Sequence, residues 1–360
     1  MDIISEVNWA VEHVREGDYD TALADYERIT RVHPESTDGW NSCGLFYHNA
    51  GDYDKAITCF TKGVELRPEF PFFWSNRAIS YGEKGDFDKA LADFDHALHL
   101  DPENTWVFEH RSDVYGKMGD WGRALAELDR AISLEPENSR LFGARGAAYN
   151  RLGNKEQAIA DYTEAIRLNP DDAYFRFNRG LIHWYITTTT DFDLAMEDFT
   201  ATIERAPDMA DAHYARGYGY MLQIKGFQGT ITAVVTEKVQ DEAIRAVLLT
   251  ELAQVGYNEM IPWMDNLYKT LRLPRDRLDS LMIESASLLT KYSLGEALED
   301  LDRAITLNPA HDKAYLCRGH VYRMAGDKER AVADYEQVLT LVPHHNEAQK
   351  QLDALMVALS

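Results

Sequence analysis

An arginine recurs along this chain with an acid sixteen residues behind it: Arg77 with Asp93, Arg111 with Glu127, Arg145 with Asp161 and Arg318 with Asp334. Arg179 reaches Asp198 once three extra residues are allowed for, and Arg216 belongs to the same column. A row of guanidinium groups could bind anions. An arginine that brings its own carboxylate is instead committed to charge-assisted hydrogen bonds inside the fold. The column therefore reads as a structural ladder. Cys43 and Cys59 stand at the same two places of another unit, again sixteen apart. Such a paired exchange suits two buried, reduced thiols facing each other, with a bridge as their product in an oxidising setting.

The remaining reactive side chains form no constellation. His96 and His99 lie one helical turn apart beside Asp95 and Asp101, short of the four ligands of a structural zinc site, and read as solvent-facing. Between 226 and 279 there is neither His nor Cys, which removes most nucleophile–base pairs and transition-metal ligands. That stretch also lacks a glycine-rich phosphate loop. No catalytic residue, metal or cofactor is assigned, and the chain reads as a non-enzyme.

What must position these side chains is a repeating element. Pro34, Pro68, Pro102, Pro136 and Pro170 are each 34 residues apart, and Pro309 and Pro343 resume the step. Within each unit a small residue holds the eighth place (Gly44, Ala78, Ser112, Gly146, Gly180, Gly217, Gly319). A Tyr usually follows three later, then a turn Gly, an Ala and an aromatic, as in GDFDKALADFDHAL at 85–98. Small residues let two helices approach, Gly permits the reversal, and Pro ends the second helix. The pattern resembles the tetratricopeptide repeat family over roughly 3–225 and 294–345. The resemblance implies an all-α solenoid, a right-handed superhelix of about eight helix pairs whose first helices line a concave groove.

Five units run from 3 to 172, and the sixth, 173–209, carries the three extra residues near Thr187 to Thr190. The organisation is then 3–225 for repeats one to six and the first helix of the seventh, and 226–293 for an inserted helical module. The second helix of the seventh repeat and the eighth repeat occupy 294–345, and 346–360 forms a capping helix. Pro207 and Pro309 are three whole steps apart, so two degenerate repeats are the competing reading of the gap; the Ala and aromatic places of 230–280 are not filled. In the cap, Ala348, Leu352, Leu355, Met356 and Leu359 share one face. At the other end Ile4, Val7, Val11 and Val14 form an apolar stripe with no capping helix before it, an edge for self-association.

Composition bounds the partners. A formal charge of −23 opposes a nucleic-acid surface, and no apolar run is long enough to span a bilayer. Three cysteines without metal spacing and an opening without signal-peptide character point to a reducing, cytoplasmic setting. The partner is expected to be a protein or peptide, with neither nucleic acid nor membrane, and a homodimer through the N-terminal edge is the alternative.

By the resemblance, the second, fifth, ninth, twelfth and thirteenth places of each repeat face the ligand. Arg140, Asn150 and Arg151 hold such places in the fifth repeat, Tyr174, Phe177, Trp184 and Tyr185 in the sixth, and Tyr214 and Tyr218 in the seventh. Earlier repeats are polar and mixed there. These nine residues are the expected partner site, with the aromatics as anchors; packing beneath the insertion is the competing reading. Trp263, Met264 and Tyr268, followed by Arg272 and Arg275 in the one basic cluster, form a secondary docking candidate. The family's two-carboxylate clamp for chaperone tails is incomplete. Asn76 or Asn178 matches one element, but Phe72, Trp106, His110, Asp211 and Ala215 fill the flanking places.

Overall fold

The computed structural model describes residues 3–184, 189–238 and 294–359. Among the described residues there are seventeen helices and no strand. The first ten are α1 (Ile3–Arg15), α2 (Tyr19–Val32), α3 (Thr37–Asn49), α4 (Tyr53–Leu66), α5 (Pro71–Lys84), α6 (Phe87–Leu100), α7 (Thr105–Lys117), α8 (Trp121–Leu134), α9 (Ser139–Leu152) and α10 (Lys155–Leu168). They form one compact unit, Met1–Pro170. A second unit, Asp171–Ser360, holds α11 (Ala173–Trp184), α12 (Thr189–Arg205), α13 (Ala210–Lys238), α14 (Leu294–Leu307), α15 (Asp312–Met324), α16 (Lys328–Leu341) and α17 (Asn346–Leu359). In both units each odd-numbered helix packs on the next even one, and α17 packs on α16.

A Gly-Asp or Gly-Asn dipeptide makes most of the hairpin turns. Gly17, Gly51, Gly85, Gly119, Gly153 and Gly326 sit at φ between 78° and 89°, a left-handed conformation that favours glycine. The amide of the next residue donates back to the eleventh-place Tyr, as Asp52 to Tyr47 and Asp120 to Tyr115, both at 2.9 Å. That next residue then caps the following helix: Asp18, Asp52, Asp120, Asn154 and Asp327 each accept from an amide three residues on. In the seventh repeat Ile224 stands in the glycine place. There the helix does not stop near 225 but continues to Lys238. Residues 239–293, with Trp263, Met264, Tyr268, Arg272 and Arg275, lie outside the described residues.

The caps have an acid-side consequence. Hydrogen bonds from Thr21 (side chain, then amide) hold the Asp18 carboxyl below the ordinary range, and the Arg123 and Arg330 amides do the same for Asp120 and Asp327. A depressed carboxyl adds stability above its unfolded pKa, about 3.9, and loses it as pH falls through the lower folded value. The thermal midpoint is expected to drop between about pH 4 and pH 2 by circular dichroism, less steeply in Asp120→Asn, which caps without titrating. An identical slope in the variant would remove Asp120 from the account.

The arginine ladder is present. Arg77 meets Asp93 at 2.7 and 2.9 Å, and Arg145 meets Asp161 at 2.8 and 2.7 Å. Arg179 takes Asp198, Arg216 takes Asp300, Arg318 takes Asp334, and Arg111 holds Glu127 by one bond. Each acid lies on the second helix of its own hairpin. A second partner comes from the hairpin before, sixteen residues earlier: Thr61 for Arg77, Asp95 for Arg111, Asp129 for Arg145, Thr200 for Arg216 and Asp302 for Arg318. One guanidinium thus ties two successive second helices to the first helix between them. Ring nitrogens add a further tie across three of the prolines: Trp40 and Trp74 donate to the Pro34 and Pro68 carbonyls at 2.8 Å, and His213 takes that place on Pro207 at 3.1 Å.

Close approach in each hairpin rests on the eighth place. A Cβ on Gly44 would sit 2.6 Å from the Phe60 ring, so the helices close only because none is there. The aromatics so enclosed, among them Phe60, Phe94, Tyr162, Phe199 and Tyr335, are fully buried. In α17, Ala348, Leu352 and Leu355 pack on Tyr335 and its neighbours. Met356 departs from the expected face: it is 55% exposed, since the i, i+4, i+7 row through Ala348 turns it outward.

Candidate functional site

In the first unit α1, α3, α5, α7 and α9 lie side by side, and their inner faces touch through side chains about one repeat apart. Asn76 donates to Asn41 at 3.3 Å, His48 and Ser80 meet at 3.0 Å, and Phe72 stacks near Trp106 at 6.4 Å. Lys117 pairs with Glu83, and Arg140 with Glu109, each at 2.7 Å. Burial lowers the His48 pKa, which keeps the ring neutral against Ser80. His96 and His99 are both exposed, and one side of the His96 ring rests on Trp74 at 3.9 Å.

Two cavities open in this unit. The first, about 510 Å³, lies among α7, α8 and α9. Ala144, Ala147 and Ala148 form one side, Trp121 the other, and Lys117 and Arg151 edge it. Gly116 makes room for Trp121, since a Cβ there would stand 2.9 Å from the indole. Lys117 is committed to Glu83, whereas Arg151 has no ion-pair partner among the described residues. The second cavity, about 690 Å³, lies among α1, α2 and α3 and is lined by Val11, Val14, Tyr19, Leu45, Phe46 and Asn49, with others. The early groove is therefore not merely polar. The places that face it on first helices are mixed, but rings from the second helix and the tenth-place Phe46 supply an apolar lining.

The expected site residues divide between the two units. In the first, Arg140 is spread over both Glu109 oxygens, Asn150 is exposed and Arg151 reaches the smaller cavity. In the second, Tyr174 is 57% exposed. Phe177 and Trp184 are half-buried on Phe199, and Trp184 also meets Phe192 and Tyr218. Tyr214 stacks on Tyr218 at 5.8 Å and meets His311 at 4.8 Å. Among the described residues these rings meet one another and their core neighbours, and Tyr174 stands well out; the competing reading, packing beneath the insertion, turns on 239–293, outside the described residues. Tyr185 lies outside the described residues. In the N-terminal stripe Val7 and Val14 pack on the first core, Val11 faces the larger cavity and Ile4 is exposed. Sequence reasoning missed Trp121 and Tyr19, which begin second helices; their signal was the aromatic recurring at the seventeenth place (Tyr19, Tyr53, Phe87, Trp121).

Models of the tetratricopeptide repeat match residues 7–71, 71–104 and 312–345, and a TPR repeat model matches 146–185. The chain belongs to the tetratricopeptide repeat family. Among curated proteins this TPR chain is similar to a DnaJ homolog subfamily C member 7 homolog of Dictyostelium discoideum, 24% identical over 182 residues. That match spans 50% of the chain and 30% of the relative, so most of the relative has no counterpart here. Among solved structures the APC/C hetero-tetramer Cut9-Hcn1 aligns over 94% of this chain and 52% of that one, at 14% identity and a TM-score of 0.52. At that identity the likeness shows the solenoid fold alone. A thermophilic TPR protein of Thermus thermophilus aligns over 50% of this chain and 98% of its own at 21% identity and a TM-score of 0.45. TPR proteins are in general protein-interaction scaffolds. No described helix is long and apolar enough to cross a membrane.

Proposed function

We propose that this chain is a non-catalytic scaffold that holds a peptide or protein segment on the inner face of its first helices. The observation that carries the reading is the smaller cavity, with small side chains on one side, an indole on the other and an uncommitted guanidinium at its edge. An apolar or aromatic side chain fits between Ala147 and Trp121, and a neighbouring carboxylate meets Arg151. The chain's charge of −23 disfavours a strongly acidic segment, so the partner carries one such carboxylate in a neutral or basic context. Arg140 and Asn150 extend this contact. In the second unit Tyr174 is the anchor, and Phe177, Trp184, Tyr185, Tyr214 and Tyr218 complete the proposed contact. Trp263, Met264, Tyr268, Arg272 and Arg275 serve as a secondary docking segment, and the cytoplasm is the setting.

The test is selection of random displayed peptides on the immobilised full chain. Enriched sequences are expected to share an apolar residue close to an acid and to be lost on Arg151→Glu. Enrichment of sequences indifferent to Arg151→Glu would remove the cavity from the proposal.

Self-association through the edge that carries Ile4, Val7, Val11 and Val14 is the second reading, favoured by the exposure of Ile4 and Trp9. It predicts a light-scattering mass that rises with concentration and falls to the monomer value in Ile4→Glu. A monomer at every concentration would end it.

A further inference from the structure

In six hairpins the seventh and twenty-third places hold an arginine and an acid joined by charge-assisted hydrogen bonds. In the second repeat those two places hold Cys43 on α3 and Cys59 on α4. Their sulfurs stand 3.4 Å apart, and the residues are 2% and 5% exposed. The adjacent residues, Gly44 and Phe60, are those that bring the two helices into close approach. The seat that elsewhere carries the strongest tie between the helices thus carries two thiols within reach of a bond. We propose that Cys43 and Cys59 are a dithiol–disulfide couple whose oxidation locks the second hairpin.

The chemistry needs a two-electron oxidant, and a low-molecular-weight disulfide such as glutathione disulfide suffices. The Cys59 thiolate attacks one sulfur of that disulfide, and the first glutathione leaves as a thiolate. Cys43 then attacks the Cys59 sulfur of the mixed disulfide and expels the second glutathione. Two protein thiols are oxidised to one disulfide, one glutathione disulfide is reduced to two thiols, and the two cysteine protons end on the released glutathiones. The environment assigns the order of attack. Once Cys59 has ionised, the Cys43 thiol donates to it, which favours the Cys59 thiolate; the same bond, with burial, pushes Cys43 up. A sulfur–sulfur bond is about 2.05 Å long, so the sulfurs must close by roughly 1.4 Å. Burial means that attack passes through local opening of the hairpin, and oxidation is therefore slow and hastened by mild denaturant.

Locking matters because α3 also carries Leu45, Phe46 and Asn49 of the larger cavity. A bridge enclosing a sixteen-residue step restrains the opening of α3 against α4, so the oxidised form presents that wall in one arrangement.

The test uses the full chain incubated with glutathione disulfide, then denatured and titrated for thiols. The chain holds three cysteines, and the expected titre falls from three to one, with a non-reduced peptide map joining Cys43 to Cys59. The Cys317→Ser variant is expected to fall from two to none. Amide exchange in α3 and α4 is expected to slow by at least about tenfold on oxidation and to recover on reduction. Cys59→Ser, checked for helicity, is expected to show neither change. Retention of all three thiols would overturn the proposal. So would a stable glutathione adduct without the bridge, a bridge to Cys317, or exchange rates that ignore the bridge.

Discussion

Replacing Arg145 by alanine is expected to cost about 3 kcal/mol of stability, among the largest effects of any charged residue in the chain. Its guanidinium makes two bonds to Asp161 and one to Asp129. Asp129 is exposed and loses little. Asp161 is buried on α10 and would be left as a carboxylate without its guanidinium partner. The equivalent acid on α16 shows the balance: burial pushes the Asp334 carboxyl up, and the Arg318 hydrogen bonds hold it down. Removing the arginine leaves burial unopposed, so the stranded acid either takes a proton or drags the hairpin open. Arg145→Lys should recover only part of the loss, because an ammonium cannot bridge both Asp161 oxygens and Asp129 in one plane. Asp161→Asn in the alanine background should restore stability by relieving the unpaired charge. Urea unfolding followed by circular dichroism measures all three. An Arg145→Ala midpoint equal to that of the parent would show that the ladder is ornament.

That ladder marks both what the sequence discloses and where it stops. A sixteen-residue spacing inside one hairpin suffices to pair arginine with acid, because both places lie on facing sides of two antiparallel helices. Asp300, the partner of Arg216, escaped that spacing since sixty-eight residues intervene beyond the usual sixteen. It was nevertheless recoverable: every acid of the column stands nine residues before its proline, as Asp93 before Pro102 and Asp300 before Pro309. The second partners, Asp95, Asp129 and Asp302, depend on how one hairpin turns onto the next, which no spacing within a hairpin encodes. The same limit explains the site. Places on first helices could be assigned to a face from periodicity, and Arg151 does reach a cavity. Val11, at the ninth place of its repeat, faces the larger cavity, while the twelfth-place Val14 both lines it and packs on the core. Tyr19 and Trp121 enter from second helices, where single-helix periodicity gives no reason to look. The second unit's aromatics were identifiable as a cluster, but whether rings pack on one another or stand free depends on side-chain contacts such as Tyr214 on His311.

Filling the smaller cavity should have the largest effect on binding. Ala147→Trp places an indole between Trp121 and the α9 backbone, where the proposed side chain of the partner would enter. Peptides selected on the parent chain are expected to lose more than about 2 kcal/mol of affinity, roughly thirtyfold. Stability should change by less than about 0.5 kcal/mol, because Ala147 is only half-buried and its new side chain enters open space. This separates binding from folding in a way that truncating Phe177 or Tyr214 cannot, since both support the packing of their own unit. Tyr174→Ala removes an exposed ring instead and tests whether the second unit contributes. Asn49→Asp, at the larger cavity, should leave these peptides unaffected. If Ala147→Trp binds them as the parent does while Asn49→Asp does not, the ligand sits among α1, α2 and α3, and the cavity beside Trp121 is incidental packing. If only Tyr174→Ala weakens them, the anchor lies in the second unit and Arg151 has no part in recognition.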